Sequence, residues 1–203
     1  LDVWKSGCEN LIKKYNINTN APILTLFPGS RTQEVTKHLK LYIESALEIK
    51  KTIPEVQILL GLHPNIILNQ KIDEDITIIQ DMPLKALEIA TAAIVTSGTA
   101  TLQAAIMNTP SVIIYKMNKL SWLLTKKMVK VKFASMANII AEELVFPELL
   151  QNKANKKNII IHIKKMLTDK KYLYEIQNKM QSIQNKIGKS GASQKAAEFI
   201  LGK

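Results

Sequence analysis

The sequence predicts an α/β protein: a Rossmann-like, doubly wound and mainly parallel sheet followed by C-terminal helices. Two observations carry that expectation. From Asn20 onward short β-branched runs alternate with longer segments of helical period, the pattern of βαβ units. Each early run also ends in a turn built from glycine, proline or hydroxyl residues. The composition agrees with a folded chain, since 203 residues with 46% apolar and 22% charged side chains can bury a sizeable core. Collagen-like and disordered chains are excluded.

Residues 1–19 read as an N-terminal helix and linker arriving from a preceding domain; the chain opens inside an apparent helix and without methionine, so a piece of a longer sequence is expected. Ile23-Leu24-Thr25-Leu26-Phe27 is the first strand, broken by Pro28-Gly29-Ser30-Arg31. A helix follows over 32–52, with Val35, Leu39, Tyr42, Ala46 and Ile49 on one face and Pro54 to close it. Strands are expected at 56–61 and 76–80, a short helix at 84–90 and a fourth strand at 92–96. Ser97-Gly98-Thr99 then turns into a helix over 99–107, and a strand follows at 111–115. Beyond Lys116 the expectation is helix to the end, with a polar break at 188–193. The sheet unit is therefore placed at 20–157, and 158–203 form helices that pack on it or cross back from it.

Lys and Arg number 28 against 17 Asp and Glu, a formal charge of +11, which points to an anionic partner: nucleic acid, an acidic membrane surface or a phosphorylated substrate. Lys116, Lys119, Lys126, Lys127, Lys130 and Lys132 fall in one acid-free stretch interleaved with Leu120, Trp122, Leu124, Met128 and Phe133. Such a segment can lie among anionic headgroups, with Trp122, Lys126, Lys127 and Lys130 at the membrane surface, or be a core-facing helix with a solvated lysine edge. Both readings stay open. No apolar run approaches the ~18 residues of a spanning helix. One cysteine, Cys8, and the absence of Cys/His zinc spacing lead to an expectation of a reducing, cytoplasmic setting with no metal and no cofactor. The sequence holds neither a Walker-type lysine motif nor GxGxxG, which counts against kinases, GTPases and nicotinamide dehydrogenases. Nucleic acid is not expected as a partner, because charge alone suggests it and no stacking platform or motif supports it.

Arg31 is the sole arginine among those basic residues, and a site where lysine will not serve is usually one of bidentate phosphate or carboxylate recognition. In Phe27-Pro28-Gly29-Ser30-Arg31-Thr32-Gln33-Glu34, glycine lets the backbone approach a ligand and the helix start presents free N–H groups to an anion. The alternative is a plain capping turn, with Ser30 or Thr32 as cap and Arg31 paired with Glu34. Ser97-Gly98-Thr99-Ala100 builds a second helix start of the same kind; Gln103 either reaches a sugar hydroxyl or completes a capping box. Asn138, in an apolar run, is a cap or a ligand contact. His38, His63 and His162 are scattered, with no Ser or Cys partner in view.

Taken in order, Phe27 to Arg31 with Glu34, Thr96 to Leu102, Pro110 to Lys116, Asn138 to Ala141 and Pro147 to Gln151 resemble the C-terminal half of lipid-A-disaccharide synthases, over nearly the whole chain from Asn20. The resemblance implies a bacterial inverting glycosyltransferase of GT-B architecture, with two Rossmann-like domains across a cleft. This half would bind the donor, UDP-2,3-diacylglucosamine. The missing N-terminal domain would contact the acceptor, lipid X, and supply an acidic catalytic residue, giving lipid A disaccharide phosphate and UDP in lipopolysaccharide synthesis. Carried onto this sequence, Gly29, Ser30 and Arg31 would hold the diphosphate with Glu34 orienting the arginine. Ser97, Gly98, Thr99 and Ala100 would form the second phosphate-facing turn, the backbone from Ile79 to Met82 would flank uracil, Gln103 would reach the ribose, and Asn138 would line the cleft. Two departures stand out: Gln103 replaces the usual glutamate, which weakens its grip, and Ala137 replaces a proline, which loosens its loop. Expected alongside are peripheral attachment to the inner face of the inner membrane, little activity in this piece alone, and self-association through orphaned apolar positions of the last helices. The competing reading is a stand-alone UDP-binding or regulatory module.

Overall fold

The computed structural model describes residues 7–68, 70–117, 132–187 and 197–201. Six strands form one sheet in the order β3-β2-β1-β4-β5-β6, with β1 at Ile23–Phe27, β2 at Gln57–Gly61, β3 at Ile76–Ile79, β4 at Ala92–Thr96, β5 at Ser111–Tyr115 and β6 at Glu148–Leu150. Every pairing is parallel; Leu24 sits opposite Ala92 and Phe27 opposite Val95 where β1 meets β4. The central strands are apolar on both faces, as a sheet covered on both sides requires, with all five residues of β4 buried. Helix α1 (Glu9–Tyr15) precedes the sheet, and α2 (Thr32–Thr52), α3 (Pro83–Glu88) and α4 (Thr99–Ile106) make the crossovers. After β5 come α5 (Met136–Ala141), α6 (Lys156–Thr168) and α7 (Lys170–Ile187).

Right-handed crossovers dictate the layers. The chain winds from β1 toward β3, then reverses through α3 to β4 and winds the other way. That reversal puts α2 on one face, where α6 packs against it, and α3 and α4 on the other, where α7 joins α4. Leu24, Leu26, Tyr42, Ile94, Ile113, Phe146 and Ile163 belong to the main core. A smaller cluster of Leu11, Ile17, Ile23, Leu59, Ile79 and Ala86 seats α1 on the sheet. No helix among the described residues is long and apolar enough to cross a membrane.

The expected strands and crossover helices are present within a residue or two of their sequence-based bounds. The helical expectation beyond Lys116 fails at β6: Glu148 pairs with Ile113 and Leu150 with Tyr115, adding a sixth strand at the sheet edge. The expected basic surface of Trp122, Lys126, Lys127 and Lys130 lies outside the described residues.

Candidate functional site

In an open parallel sheet, ligands bind beyond the carboxyl ends of the strands where the winding reverses. Here that point lies between β1 and β4, and the turns that leave those two strands stand side by side. The first is Pro28 to Arg31, the second Ser97 to Thr99. Neither following helix has a side-chain cap: Arg31 is the N-cap of α2, and Gly98 that of α4. The Arg31 carbonyl accepts from Glu34 and Val35, and the Gly98 carbonyl from Thr101, so backbone bonding begins only inside each helix. The N–H groups before that point are available to an anion. Of the capping alternatives that the sequence left open, the side-chain caps and the capping box are absent, while the Arg31–Glu34 pair is present.

Glycine is required at both corners. Gly29 has φ +110°, and a Cβ there would lie 2.5 Å from Glu34 Oε2. Gly98 has φ +152° with open space around it, so its requirement is purely conformational. A cavity of about 670 Å³, within the range of small-molecule sites, opens in front of the corners. Phe27, Gly29 and Ser30 line it from the first, and Thr99, Ala100 and Gln103 from the second. Met82, Pro83 and Leu84 form an apolar wall at the start of α3, with Met82 where the base was expected.

Arg31 follows the lining residue Ser30 but does not itself line the cavity; its side chain is 81% exposed, with Nη1 donating to Glu34 Oε1 over 3.0 Å. An exposed pair of this kind is worth at most about 1 kcal/mol. Behind the corner, His38 is buried; its Nδ1 lies 2.8 Å from the Glu34 carbonyl and must carry the proton, while Nε2 has no partner among the described residues. Burial holds its imidazole below the ordinary range, so it is neutral at pH 7.

Three of the expected contact residues have their groups engaged elsewhere in the structure. Asn138 is fully buried and its amide is saturated: Nδ2 donates to Phe146 O and Glu148 Oε1, each at 2.8 Å, and Oδ1 accepts from Val145 and Phe146 N–H. It brackets α5 to the β6 approach, and it is not among the residues lining the cavity described above. Ser97 has committed both donors, its Oγ to Ala134 O at 3.0 Å and its N–H to Ile114 O at 2.9 Å, so it fastens the 134 segment to the second corner. Ile79 is a core residue whose carbonyl accepts from Leu62 N–H, leaving Met82 to face the cavity.

Other lining residues escaped the sequence reading. His63 and Pro64 follow β2, and Lys85 lies in α3; Asp81, also in the lining, falls within the stretch from Ile79 to Met82 that was expected at the base. The strand-end rule that located the two corners applies equally to these positions. Asp81 accepts from Lys14 Nζ and, at 2.6 Å, from Tyr15 Oη, so helix α1 is tied to the cavity rim. Those two hydrogen bonds, Lys14 first, hold the Asp81 carboxyl below its usual range. Lys85 pairs with Glu88 at 3.0 Å. Burial pushes the Cys8 thiol up to about 11, which keeps it protonated and disfavours it as a nucleophile. Among the described residues no group of His, Cys, Asp and Glu is arranged to hold a metal.

Solved structures share this architecture. The calicheamicin glycosyltransferase CalG4 superposes with a TM-score of 0.60 at 14% identity, over 92% of this chain and 43% of its own. A UDP-GlcNAc 2-epimerase from Neisseria meningitidis, solved with UDP-GlcNAc bound, gives 0.57 at 17% identity over 96% of this chain and 50% of its own. Sequence likeness is more specific. The lipid-A-disaccharide synthase of Coxiella burnetii (strain CbuG_Q212) is 34% identical over 195 residues, 95% of this chain and 52% of that protein. That of Geobacter sulfurreducens is 30% identical over 201 residues, with the same 52% of its length covered. The chain thus spans about half the length of the curated relatives it matches. The family description of lipid-A-disaccharide synthetase fits residues 4–201, and the chain belongs to that family.

Proposed function

We propose that this chain is the donor-binding half of a lipid-A-disaccharide synthase, taking UDP-2,3-diacylglucosamine for transfer, with inversion, to lipid X held by the other half. The observation that supports it best is the convergence of two uncapped, glycine-bearing corners on one cavity at the sheet's reversal point. Departure of UDP leaves growing negative charge on the β-phosphate. Helix N-termini fixed beforehand, with Arg31 swinging off Glu34, stabilise that charge without a metal. Met82, Pro83 and Leu84 offer apolar surface to the base, and Gln103, at the second corner, meets a ribose hydroxyl. An epimerase of the same fold was solved with UDP-GlcNAc bound, which accords with a nucleotide-sugar ligand. In this reading sugar transfer requires an acceptor half as well, whereas a regulatory UDP module would form no disaccharide even with that half added.

Calorimetric titration tests the binding claim. UDP is expected to bind at least tenfold more tightly than UMP, since the β-phosphate adds charge-assisted hydrogen bonds of about 1.5–3 kcal/mol each. Arg31→Lys is expected to remove most of that preference, because an ammonium cannot reproduce the planar fork. Equal affinities for UDP and UMP in the unaltered chain would refute the cradle. Adding the separately expressed acceptor half, and looking for disaccharide, then decides between transferase and regulatory module.

A further inference from the structure

We infer that Thr96 and Tyr42 form a buried hydroxyl relay that aims the Gly29 N–H into the cavity, which makes Thr96 a positioning residue of the cradle. The inference rests on the nucleotide-binding reading above and adds to it two side chains that touch no ligand.

The relay has a direction. Thr96, the last residue of β4, is 4% exposed, and its Oγ1 donates to the Pro28 carbonyl over 2.9 Å. With its only proton so placed, Thr96 can only accept from Tyr42 Oη, 2.8 Å away, and Tyr42 must donate. Tyr42 is fully buried on α2, and burial pushes its phenol far above the ordinary range, so the donor proton persists throughout the pH range of a folded chain. A phenylalanine would fill the same space in the core; the hydroxyl has Thr96 as its partner.

The Pro28–Gly29 peptide is trans, and in a planar trans peptide the C=O and N–H point in opposite directions. Drawing the Pro28 carbonyl inward onto Thr96 therefore turns the Gly29 N–H outward, on the side where Gly29 lines the cavity. Among the described residues no acceptor takes that N–H. Without a Cβ, and at φ +110°, Gly29 offers little steric resistance to rotation of this peptide. The Thr96 hydroxyl selects one orientation. Because Thr96 also leads directly into Ser97 and Gly98, a single buried side chain sets the first corner relative to the second.

Calorimetric titration of the chain with UDP and with uridine, which lacks phosphate, separates aiming from general stability. Thr96→Val keeps the shape and removes the hydroxyl. UDP affinity is expected to fall about tenfold, equivalent to ~1.4 kcal/mol, with uridine affinity unchanged. Thr96→Ser should restore UDP binding. Tyr42→Phe, which leaves the Thr96–Pro28 bond unbraced, should show a smaller loss confined to UDP. Unchanged UDP affinity in Thr96→Val, or equal losses for UDP and uridine, would overturn the relay while leaving nucleotide binding in place. Should Thr96→Val not fold, Tyr42→Phe decides: an unaltered ratio of UDP to uridine affinity overturns the relay. If the unaltered chain binds no UDP, the nucleotide reading falls and the relay with it.

Discussion

Asn138 donates twice and accepts twice within eleven residues of chain, so its role is to hold structure together. Replacing it with alanine would strand two backbone N–H groups, a carbonyl and part of the Glu148 carboxylate in a buried setting. Partly relieved by water, those losses should cost about 3 kcal/mol, measured by urea denaturation, while UDP affinity of the folded fraction stays unchanged. A loss of UDP affinity with normal stability would return Asn138 to the ligand site. Its sequence context showed that a buried amide needed partners but not which ones, because Val145, Phe146 and Glu148 meet it only after the chain turns back on itself. Ser97 was misread for the same reason: its partner carbonyl, Ala134, is 37 residues away. The two glycine corners were legible because their signal is local: Gly29 and Gly98 each stand between a strand and a helix start, and the structure gives both backbone angles that L side chains rarely adopt.

At the scale of elements, α1 is more than an approach to β1. Lys14 and Tyr15 grip Asp81 at the cavity rim, and the titration of all three groups bounds that grip. The Asp81 carboxyl is held low by its hydrogen bonds from Lys14 and Tyr15; its stabilising contribution is full above the unfolded value of about 4 and disappears as pH falls through the lowered folded value. Tyr15, raised chiefly by burial, and Lys14, raised chiefly by its bond to Asp81, contribute fully below their unfolded values near 10 and lose that contribution as pH rises through the higher folded ones. Hydrogen exchange in α1 should therefore be slowest between about pH 4 and 10, after correction for intrinsic rates, and Asp81→Asn should flatten the acid limb. An acid limb retained in Asp81→Asn would assign the docking of α1 to Leu11 and its apolar cluster alone. Strand β6 shows where reading elements from sequence stopped. Glu148-Leu149-Leu150 consists of good helix formers, yet pairing with β5 overrides that preference. Pro147 marks the strand start, where its missing N–H costs nothing and its carbonyl accepts from Ile113.

For the molecule as a whole, alternation of strand and helix was enough to specify a doubly wound sheet, because right-handed crossovers leave few other topologies. The charge of +11 is harder to place, since it reads equally as solvation and as attraction to an anionic surface. The two readings differ in what reversing charge at Lys126, Lys127 and Lys130 does. On an anionic bilayer each lysine near the surface contributes about 1 kcal/mol, so exchanging all three for glutamate should nearly abolish co-sedimentation with vesicles of phosphatidylglycerol, and raised salt should weaken the unaltered chain in the same way. Neutral phosphatidylcholine vesicles should retain little of either protein. Phe199, Ile200 and Leu201 are 87%, 81% and 70% exposed, so pelleting without vesicles is the control that separates self-association from lipid binding. Co-sedimentation that persists in the triple glutamate variant, or that ignores salt, would assign those lysines to the solvated edge of a core-facing helix, and the membrane reading would then rest on the acyl chains of the proposed substrates alone.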